Sequence, residues 1–190
     1  MKRFLSLTAA LLLCLGLLGC GGSTSSEPTP TPAPKDYSQI LHDARDPEFN
    51  QYYMIIAPGK EEGVKYQAID GVASEYTAEQ LESFAADFVL PIFGLTEDMA
   101  EDYALSVSIM NTQCYGVAIV KPAEGQQDAV RQAMEDYVQA QQSAFEFYLV
   151  DQYDIALEAT VTVADSGEVV LVCCKDGDTV RSNILTALAA

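Results

Sequence analysis

The stretch Tyr103–Val120, YALSVSIMNTQCYGVAIV, decides the fold of this chain. From Tyr103 to Ile109, large apolar residues alternate with alanine and serine, a period of two that is typical of a strand with one buried face. The second half, Tyr115–Val120, is apolar on both sides and follows after a short loop that contains Asn111. The two halves together predict an antiparallel hairpin.

Strands and helices are also predicted on both sides of this hairpin. The predicted strands are Tyr52–Ala57, Val64–Ile69, Val161–Ala164 and Glu168–Cys174. Three helices are predicted over Tyr37–Arg45, Gln126–Leu149 and Thr179–Leu188. A fourth helix is predicted to begin at Thr77 and to end by Gly94. Thr77 is followed three residues later by Gln80, which is the spacing of a capping box. Hairpins between helices predict an α+β domain with an antiparallel or mixed sheet and with helices packed mainly on one face. They argue against a doubly wound parallel sheet.

The chain is strongly acidic. It carries 28 Asp and Glu residues against 10 Lys and Arg, a formal net charge of -18 over 190 residues. Nucleic acid is therefore not an expected partner, and an anionic membrane surface would repel the domain. We expect most of these acidic side chains to form a solubilising surface.

Residues 1–19 predict a bacterial lipoprotein signal peptide. Two basic residues precede the apolar stretch Phe4–Leu18, which is short for a membrane span of about 20 residues. The stretch ends in Leu17–Cys20, LLGC, which resembles the lipoprotein cleavage box. That resemblance implies cleavage between Gly19 and Cys20, transfer of a diacylglyceryl group to the Cys20 thiol, and often acylation of the new amine. Two or more acyl chains on one residue are enough for stable anchoring.

Residues 20–36 are predicted to form the lipidated cysteine and a tether, and residues 37–190 a single acidic domain. The segment Gly21–Pro34 is rich in Gly, Ser and Thr and then in Pro, a composition that forms a spacer and no core. At about 3.1 Å per residue it reaches at most roughly 40 Å. The expected location is the extracytoplasmic face of the cell membrane, with the membrane as a partner through the covalent lipid.

Three cysteines belong to the domain: Cys114, Cys173 and Cys174. An odd number excludes a complete disulfide framework. Adjacent residues on a strand point to opposite faces, and buried free cysteine behaves as a small apolar residue, so core packing is favoured. A bridge from Cys114 to one of the adjacent pair, and redox or metal chemistry, are the alternatives.

No other pattern predicts a catalytic, metal or cofactor site. Asp176–Thr179 has the DxDxT spacing of haloacid-dehalogenase phosphotransferases, but too little chain follows for the further strands that this chemistry needs, so Asp178 is expected to cap the last helix. His42, the single histidine, is expected to be solvated at the surface. Glu97–Asp102 lack the spacing of an EF-hand, and they predict a turn in which Thr96 caps a short helix.

Several segments resemble a known family of lipoproteins. They are Glu101–Leu105 with Met110 and Asn111, Ala118–Lys121, and Phe145–Leu149 with Gln152 and Tyr153. In this order they resemble a domain of unknown function that occurs in lipoproteins of clostridial-type Gram-positive anaerobes, over roughly residues 36–184. Members often have a proline where this chain has Val150, and an acidic residue near Tyr115. The resemblance implies a location and a fold, and it implies no mechanism.

The function expected from the sequence is that of a membrane-anchored lipoprotein whose domain binds a partner protein or an extracellular ligand. A cell-envelope hydrolase is an alternative, because two carboxylates that meet only in the fold leave no sequence signature. A structural accessory of an envelope complex is a further alternative.

We expect Cys20→Ala to leave an uncleaved precursor without acyl chains, because the thiol is the attachment point of the lipid. Labelling with palmitate and the mass of the chain measure this outcome. Cys14→Ala, a change inside the apolar stretch, is the control and should be labelled and cleaved normally. Normal labelling of the Cys20→Ala chain would contradict the predicted anchor.

Overall fold

A computed structural model describes residues 34–190, so the predicted signal peptide, Gly19, Cys20 and most of the tether lie outside the described residues. The strands are β1 (Ile55–Pro58), β2 (Tyr66–Ile69), β3 (Ala100–Val107), β4 (Gly116–Pro122), β5 (Thr160–Val163) and β6 (Val169–Cys173). The α-helices are α1 (Tyr37–Ala44), α2 (Pro47–Tyr52), α3 (Ala78–Phe84), α4 (Leu90–Ile92), α5 (Gln127–Phe145), α6 (Val150–Leu157) and α7 (Gly177–Ala189). A π-helical turn, Ala85–Val89, joins α3 to α4.

The six strands form one sheet in the order β2-β1-β3-β4-β6-β5, and every neighbouring pair is antiparallel. The hairpin predicted from the central stretch, β3–β4, lies in the middle of the sheet, with Leu105 opposite Ala118 and Val107 opposite Gly116. β1–β2 and β5–β6 are hairpins as well. The predicted α+β class, with an antiparallel sheet built from hairpins, is confirmed.

Helices cover both faces of the sheet. On one face, Leu105 and Leu171 pack in a core with residues of α3, α4, α5 and α6. On the other face, Ile119 and Val170 pack against Leu41 of α1 and residues of α7. More helices lie on the first face, as predicted, but the second face is covered too. β4 is apolar on both sides because it lies between these two layers.

The structure corrects the prediction around Pro47. Tyr52 was expected to open a strand, yet it ends helix α2, and β1 begins at Ile55. Asp46 caps this helix, since its carboxylate accepts a hydrogen bond from the Glu48 N–H at 2.8 Å. Proline at the first position of a helix loses no hydrogen bond, so Pro47 begins a helix here.

The helix predicted over Gln126–Leu149 ends four residues early, and a second helix that was not predicted follows it. α5 ends at Phe145, Leu149 is extended, and α6 folds back along α5. The Gln142 side chain donates to the carbonyl oxygen of Ala156 at 3.1 Å, which ties the two helices together. Tyr148, inside the predicted helix, is exposed, while Leu149 packs against the core from the extended segment.

Two predicted helix starts fare differently. The capping box at Thr77 is present, with both the Thr77 and the Gln80 side chains bonded to the backbone. The last helix begins at Gly177, and Asp176 takes the cap position in a left-handed conformation, φ 57°. The prediction that Asp178 caps this helix is therefore wrong. Its carboxylate lies in the first turn and pairs with Arg181 at 2.9 Å.

The acidic segment after Thr96 is only partly a turn. A 3-10 turn covers Glu97–Met99, and the Thr96 hydroxyl donates to the Asp98 carboxylate at 2.6 Å but accepts no hydrogen bond from a backbone N–H, so the predicted cap by Thr96 is not formed. Glu101 and Asp102 belong to β3, in contrast to the predicted turn.

Gly116 lies against the ring of Tyr137, and a Cβ added there would be 2.6 Å from Cζ of that ring. We expect Gly116→Ala to lower the free energy of unfolding by about 1–3 kcal/mol, because a buried aromatic ring must shift. Urea denaturation measures the change. Gly177→Ala is the control, since its Cβ would meet Val172 at an acceptable 3.4 Å, and its free energy of unfolding should change by about 0.5 kcal/mol or less. Equal effects of the two substitutions would contradict the packing described here.

Candidate functional site

A buried arginine lies at the end of the sheet where β3 ends and β1 and β4 begin. The Arg45 side chain has no exposed surface, and its five N–H donors all find acceptors at 2.6–2.8 Å. The acceptors are the Asn50 side-chain oxygen, the Ser106 and Tyr115 hydroxyls, the Tyr53 carbonyl oxygen and the Asp70 carboxylate. A buried charge is tolerated only when it is paired and hydrogen-bonded. Arg45 therefore fixes α1, α2 and the ends of four strands relative to one another.

Asp70 connects this network to the only histidine. Its backbone is left-handed, φ 66°, and its carboxylate oxygens lie 2.8 and 2.9 Å from Nδ1 of His42 while one of them also accepts from Arg45. His42 was predicted to be a solvated surface residue. In the structure its side chain is 36% exposed and it contacts Asp70, so that prediction needs correction.

Tyrosine rings stack next to the guanidinium. The rings of Tyr53 and Tyr115 are parallel within 12° with centroids 3.8 Å apart, and Phe49 packs against Tyr115 at 5.3 Å. Burial raises the pKa of Tyr115 to about 12, although the nearby Arg45 acts in the opposite direction. Tyr53 donates its hydroxyl hydrogen to the Gln113 side chain. This stack forms a rigid wall at the end of the sheet.

An apolar slot of about 60 Å³ opens on the other side of Tyr53. Its walls include Met54, Ile56, Phe84 and Leu105, and none of its lining residues is charged. Its rim carries large apolar side chains that are exposed to solvent: Tyr52 at 64%, Ile109 at 63% and Met110 at 48%. Clusters of exposed apolar side chains of this kind mark interaction sites.

The slot belongs to a wider surface at one end of the sheet. We call the exposed side chains of Tyr52, Ile109 and Met110, with Tyr53 and Gln113 beside them, the apical surface. The loop between β3 and β4 carries Ile109 and Met110, and it separates the slot from a second, open apolar cleft against α5. A third cleft shares Tyr52, Tyr53 and Gln113 with these two.

The described chain begins at the opposite end of the sheet. The ammonium group of Lys35 lies 3.4 Å from the Ser166 hydroxyl and 3.6 Å from the Glu168 carboxylate, at the turn between β5 and β6. That turn lies next to the start of β3 and the end of β4 in the register of the sheet. The apical surface and the point where the chain enters the domain are therefore separated by the length of the central strands.

The surroundings of the apical surface are anionic. Residues 34–190 contain 8 basic and 27 acidic residues, and seven of the basic ones already pair with carboxylates, Lys175 being the exception in this part of the chain. The cleft that shares Tyr52 and Tyr53 with the slot is lined by Glu48 and Lys175, and the next cleft, beyond Phe49, is lined by Asp43, Asp46 and Asp176 together with Arg45 and Lys175. A ligand of this end of the domain therefore meets an apolar surface in a domain with a large excess of acidic residues.

The three cysteines of the domain divide between its two cores. Cys114 and Cys173 lie on one face with their sulfur atoms 3.3 Å apart, while Cys174 packs in the core on the opposite face. All three are buried free thiols. Hydrogen bonding to Cys114 and burial raise the pKa of Cys173, whereas the bond from Cys173 lowers the pKa of Cys114. Burial raises the pKa of Cys174 to about 12.

No carboxyl group with a raised pKa, and no cluster of metal-binding side chains, is found at the apical surface among the described residues. Burial raises the pKa of the Asp102 carboxyl, but Asp102 lies near the start of β3, at the far end of the sheet. Across residues 34–190, no cluster of three or more His, Cys, Asp or Glu side chains is arranged to hold a metal ion. The helices of this region are all too short or too polar to cross a membrane.

Comparison with protein families identifies residues 74–174 as a domain of unknown function, DUF4358. The chain belongs to this family. Neither a curated protein nor a solved structure matches the chain. The DUF4358 segment runs from the turn before α3 to Cys174, so it includes Ile109, Met110 and all three cysteines of the domain, while Arg45 and the two tyrosines at positions 52 and 53 precede it.

Sequence reasoning missed Arg45 as a central residue. It appeared only as the end of a helix, because its five acceptors come from segments as far as 70 residues away. One signal was present, since Arg45 is among few basic residues and precedes the Asp46–Pro47 helix start.

We expect Arg45→Met to lower the free energy of unfolding by about 3–5 kcal/mol, because it removes the guanidinium from the partly buried Asp70 carboxylate and leaves several buried acceptors without their donor. Arg131→Met is the control: Arg131 forms a half-exposed pair with Glu135 on α5, and its loss should cost about 0.5 kcal/mol or less. Urea denaturation of both chains measures the difference. A loss below about 1 kcal/mol for Arg45→Met would contradict a structural role for the network.

Proposed function

We propose that this DUF4358 chain is a lipid-anchored extracytoplasmic binding module of a clostridial-type Gram-positive anaerobe, held at the membrane through Cys20. The basic and apolar start of the chain, the LLGC sequence and the Gly/Ser/Thr/Pro-rich tether support the anchor. One observation supports the binding role above all: the exposed apolar slot lies at the end of the sheet opposite to Lys35. A chain anchored upstream of Lys35 would present the apical surface away from the membrane.

The slot favours a side chain of a larger partner over a free small molecule. Small-molecule sites typically occupy about 300–1,000 Å³, whereas the slot holds about 60 Å³. A single apolar side chain that enters such a pocket while its neighbours contact the rim is the usual form of a binding hot spot. Tyr52, Ile109 and Met110 provide that rim.

The charge of the domain indicates the charge of the residues that flank the apolar side chain in the ligand. Glu48 lines the cleft beside the slot, and Asp43 and Asp46 line the next cleft. Lys175 lies in both clefts, but acidic residues far outnumber basic ones over the domain. An anionic partner would be repelled, and a cationic one would be steered towards this end. The ligand proposed here is a polypeptide segment with an apolar side chain between lysine or arginine residues.

Binding accounts for these features better than hydrolysis. A glycosidase-type mechanism needs two carboxylates in one cleft, one of them with a raised pKa. The slot is lined by uncharged residues. Asp43, Asp46 and Asp176 do line one cleft, but Asp102, whose pKa burial raises, lies at the other end of the sheet from it.

A titration with a defined peptide tests this proposal. The probe is a dye-labelled peptide of one phenylalanine flanked on each side by two lysines, titrated with the full chain in a neutral detergent and followed by fluorescence anisotropy. We expect Ile109→Ser to weaken binding about tenfold, since about 1.4 kcal/mol of apolar contact is lost at the rim. Val163→Ser is the matched control, because Val163 is also an exposed apolar residue but lies on β5 near the tether end, and it should bind normally.

Changes to the peptide separate the two parts of the recognition. With alanine in place of the phenylalanine, the wild-type and Ile109→Ser chains should bind the peptide with the same affinity. With glutamate in place of the lysines, the wild-type chain should not bind the peptide. The proposed ligand chemistry would be overturned if the Ile109→Ser and Val163→Ser chains bound the lysine–phenylalanine peptide with equal affinity. It would also be overturned if the wild-type chain bound the glutamate peptide as tightly as the lysine peptide.

A further inference from the structure

Two buried thiols lie beside the apical surface and are not among the side chains that define it. Sγ of Cys114 and Sγ of Cys173 are 3.3 Å apart and both lie in the core beneath α5 and α6. Cys173 ends β6, and Cys114 precedes β4 by two residues, so the pair spans the seam between two neighbouring strands. A disulfide bond is about 2.05 Å long, so a small approach of the two sulfurs would join them.

We propose that Cys114 and Cys173 form a reversible cross-strand disulfide when the protein meets an external disulfide, and that Cys174 takes no part. The directions of the side chains determine which of the two adjacent cysteines can bond to Cys114. Cys173 and Cys174 are adjacent on one strand and so face opposite sides of the sheet, and only Cys173 faces Cys114. An odd number of cysteines thus yields one bond and one free thiol.

Cys114 is the thiol that reacts first. Both thiols are buried, but Cys114, at 2% exposure, lines an open cleft beside Tyr115 and Lys175, whereas Cys173 lines none of the clefts described above. The backbone N–H of Cys114 bonds to the Gln152 side chain at 2.8 Å and not to a neighbouring strand, so a movement of Cys114 breaks no strand hydrogen bond of its own N–H. The hydrogen bond from Cys173 also lowers the pKa of Cys114, which favours the nucleophilic thiolate.

The exchange proceeds in two balanced steps. The Cys114 thiolate, having released its proton, attacks one sulfur of the external disulfide, forms a mixed disulfide and expels the first thiolate. The Cys173 thiol then loses its proton and attacks the Cys114 sulfur, which forms the cross-strand bond and expels the second thiolate. The two electrons and the two protons of the pair are taken up by the external disulfide, which leaves as two thiols.

The bond has a mechanical consequence for the domain. It joins residues 59 positions apart, and cross-links that close long loops stabilise the folded state most. It also ties the C-terminal end of the loop that carries Ile109 and Met110 to β6. Oxidation is therefore expected to raise the midpoint of thermal unfolding by about 10 °C.

Oxidised glutathione is the probe for this inference. The full chain, purified in detergent and reduced, is incubated with an excess of it, quenched with an alkylating agent and digested, and disulfide-linked peptides are identified by mass spectrometry. Because tryptic cleavage leaves Cys173 and Cys174 on one peptide, the assignment uses Cys173→Ala and Cys174→Ala. We expect a link to the Cys114 peptide in the wild-type chain and in Cys174→Ala, and none in Cys173→Ala.

The two substitutions remove similarly buried thiols, so a general loss of packing would affect them alike. A link that persists in Cys173→Ala, a bond between two copies of the chain, or glutathione adducts without an internal link would overturn the inference. So would equal unfolding midpoints of the oxidised and reduced wild-type chains. None of these results depends on the lipid at Cys20 or on the peptide ligand, so this inference can fail while the proposed function stands.

Discussion

The buried guanidinium of Arg45 is the constraint on which one end of this domain depends, the end that carries the apical surface. It leaves α1 and bonds to atoms that precede β1 and β4, follow β2 and lie within α2 and β3. Each N–H has one acceptor, so the segments must close around it together or leave a charge unpaired in the core. The stacked tyrosines 53 and 115 take their places from the same network, and the slot and its rim lie directly beside them.

The central strands and most helices could be predicted from local patterns. The alternation after Tyr103 and the capping box at Thr77 depend on residues near in sequence, and both are present in the structure. Where the prediction was wrong, a contact between distant segments or a local capping choice decided the outcome. α5 ends where the chain turns back so that the Gln142 side chain can bond to the Ala156 carbonyl oxygen of α6, and Asp176 precedes the last helix in a left-handed conformation that no periodicity reveals.

The candidate site was less predictable than the fold for the same reason. Arg45 has acceptors from five other segments, and the contact between Cys114 and Cys173 joins residues 59 positions apart. The sequence did predict that Cys173 and Cys174 face opposite sides, since that depends only on the geometry of a strand. It could not predict which of them meets Cys114, because this depends on the pairing of β4 with β6. Ile109 was predicted to lie in the strand, whereas β3 ends at Val107 and the Ile109 side chain is exposed.

The two ends of the sheet differ in chemistry, and this difference connects the structure to the proposed function. One end holds Lys35, near the start of the described residues, and the other end holds an uncharged slot in a domain with a large excess of acidic residues. Hydrogen exchange of the full chain with and without the lysine–phenylalanine peptide tests this arrangement most directly. The account predicts slower exchange of backbone amides at residues 52–54 and 108–115 and no change at residues 162–166. Protection at residues 162–166, or equal protection at both ends of the sheet, would contradict it.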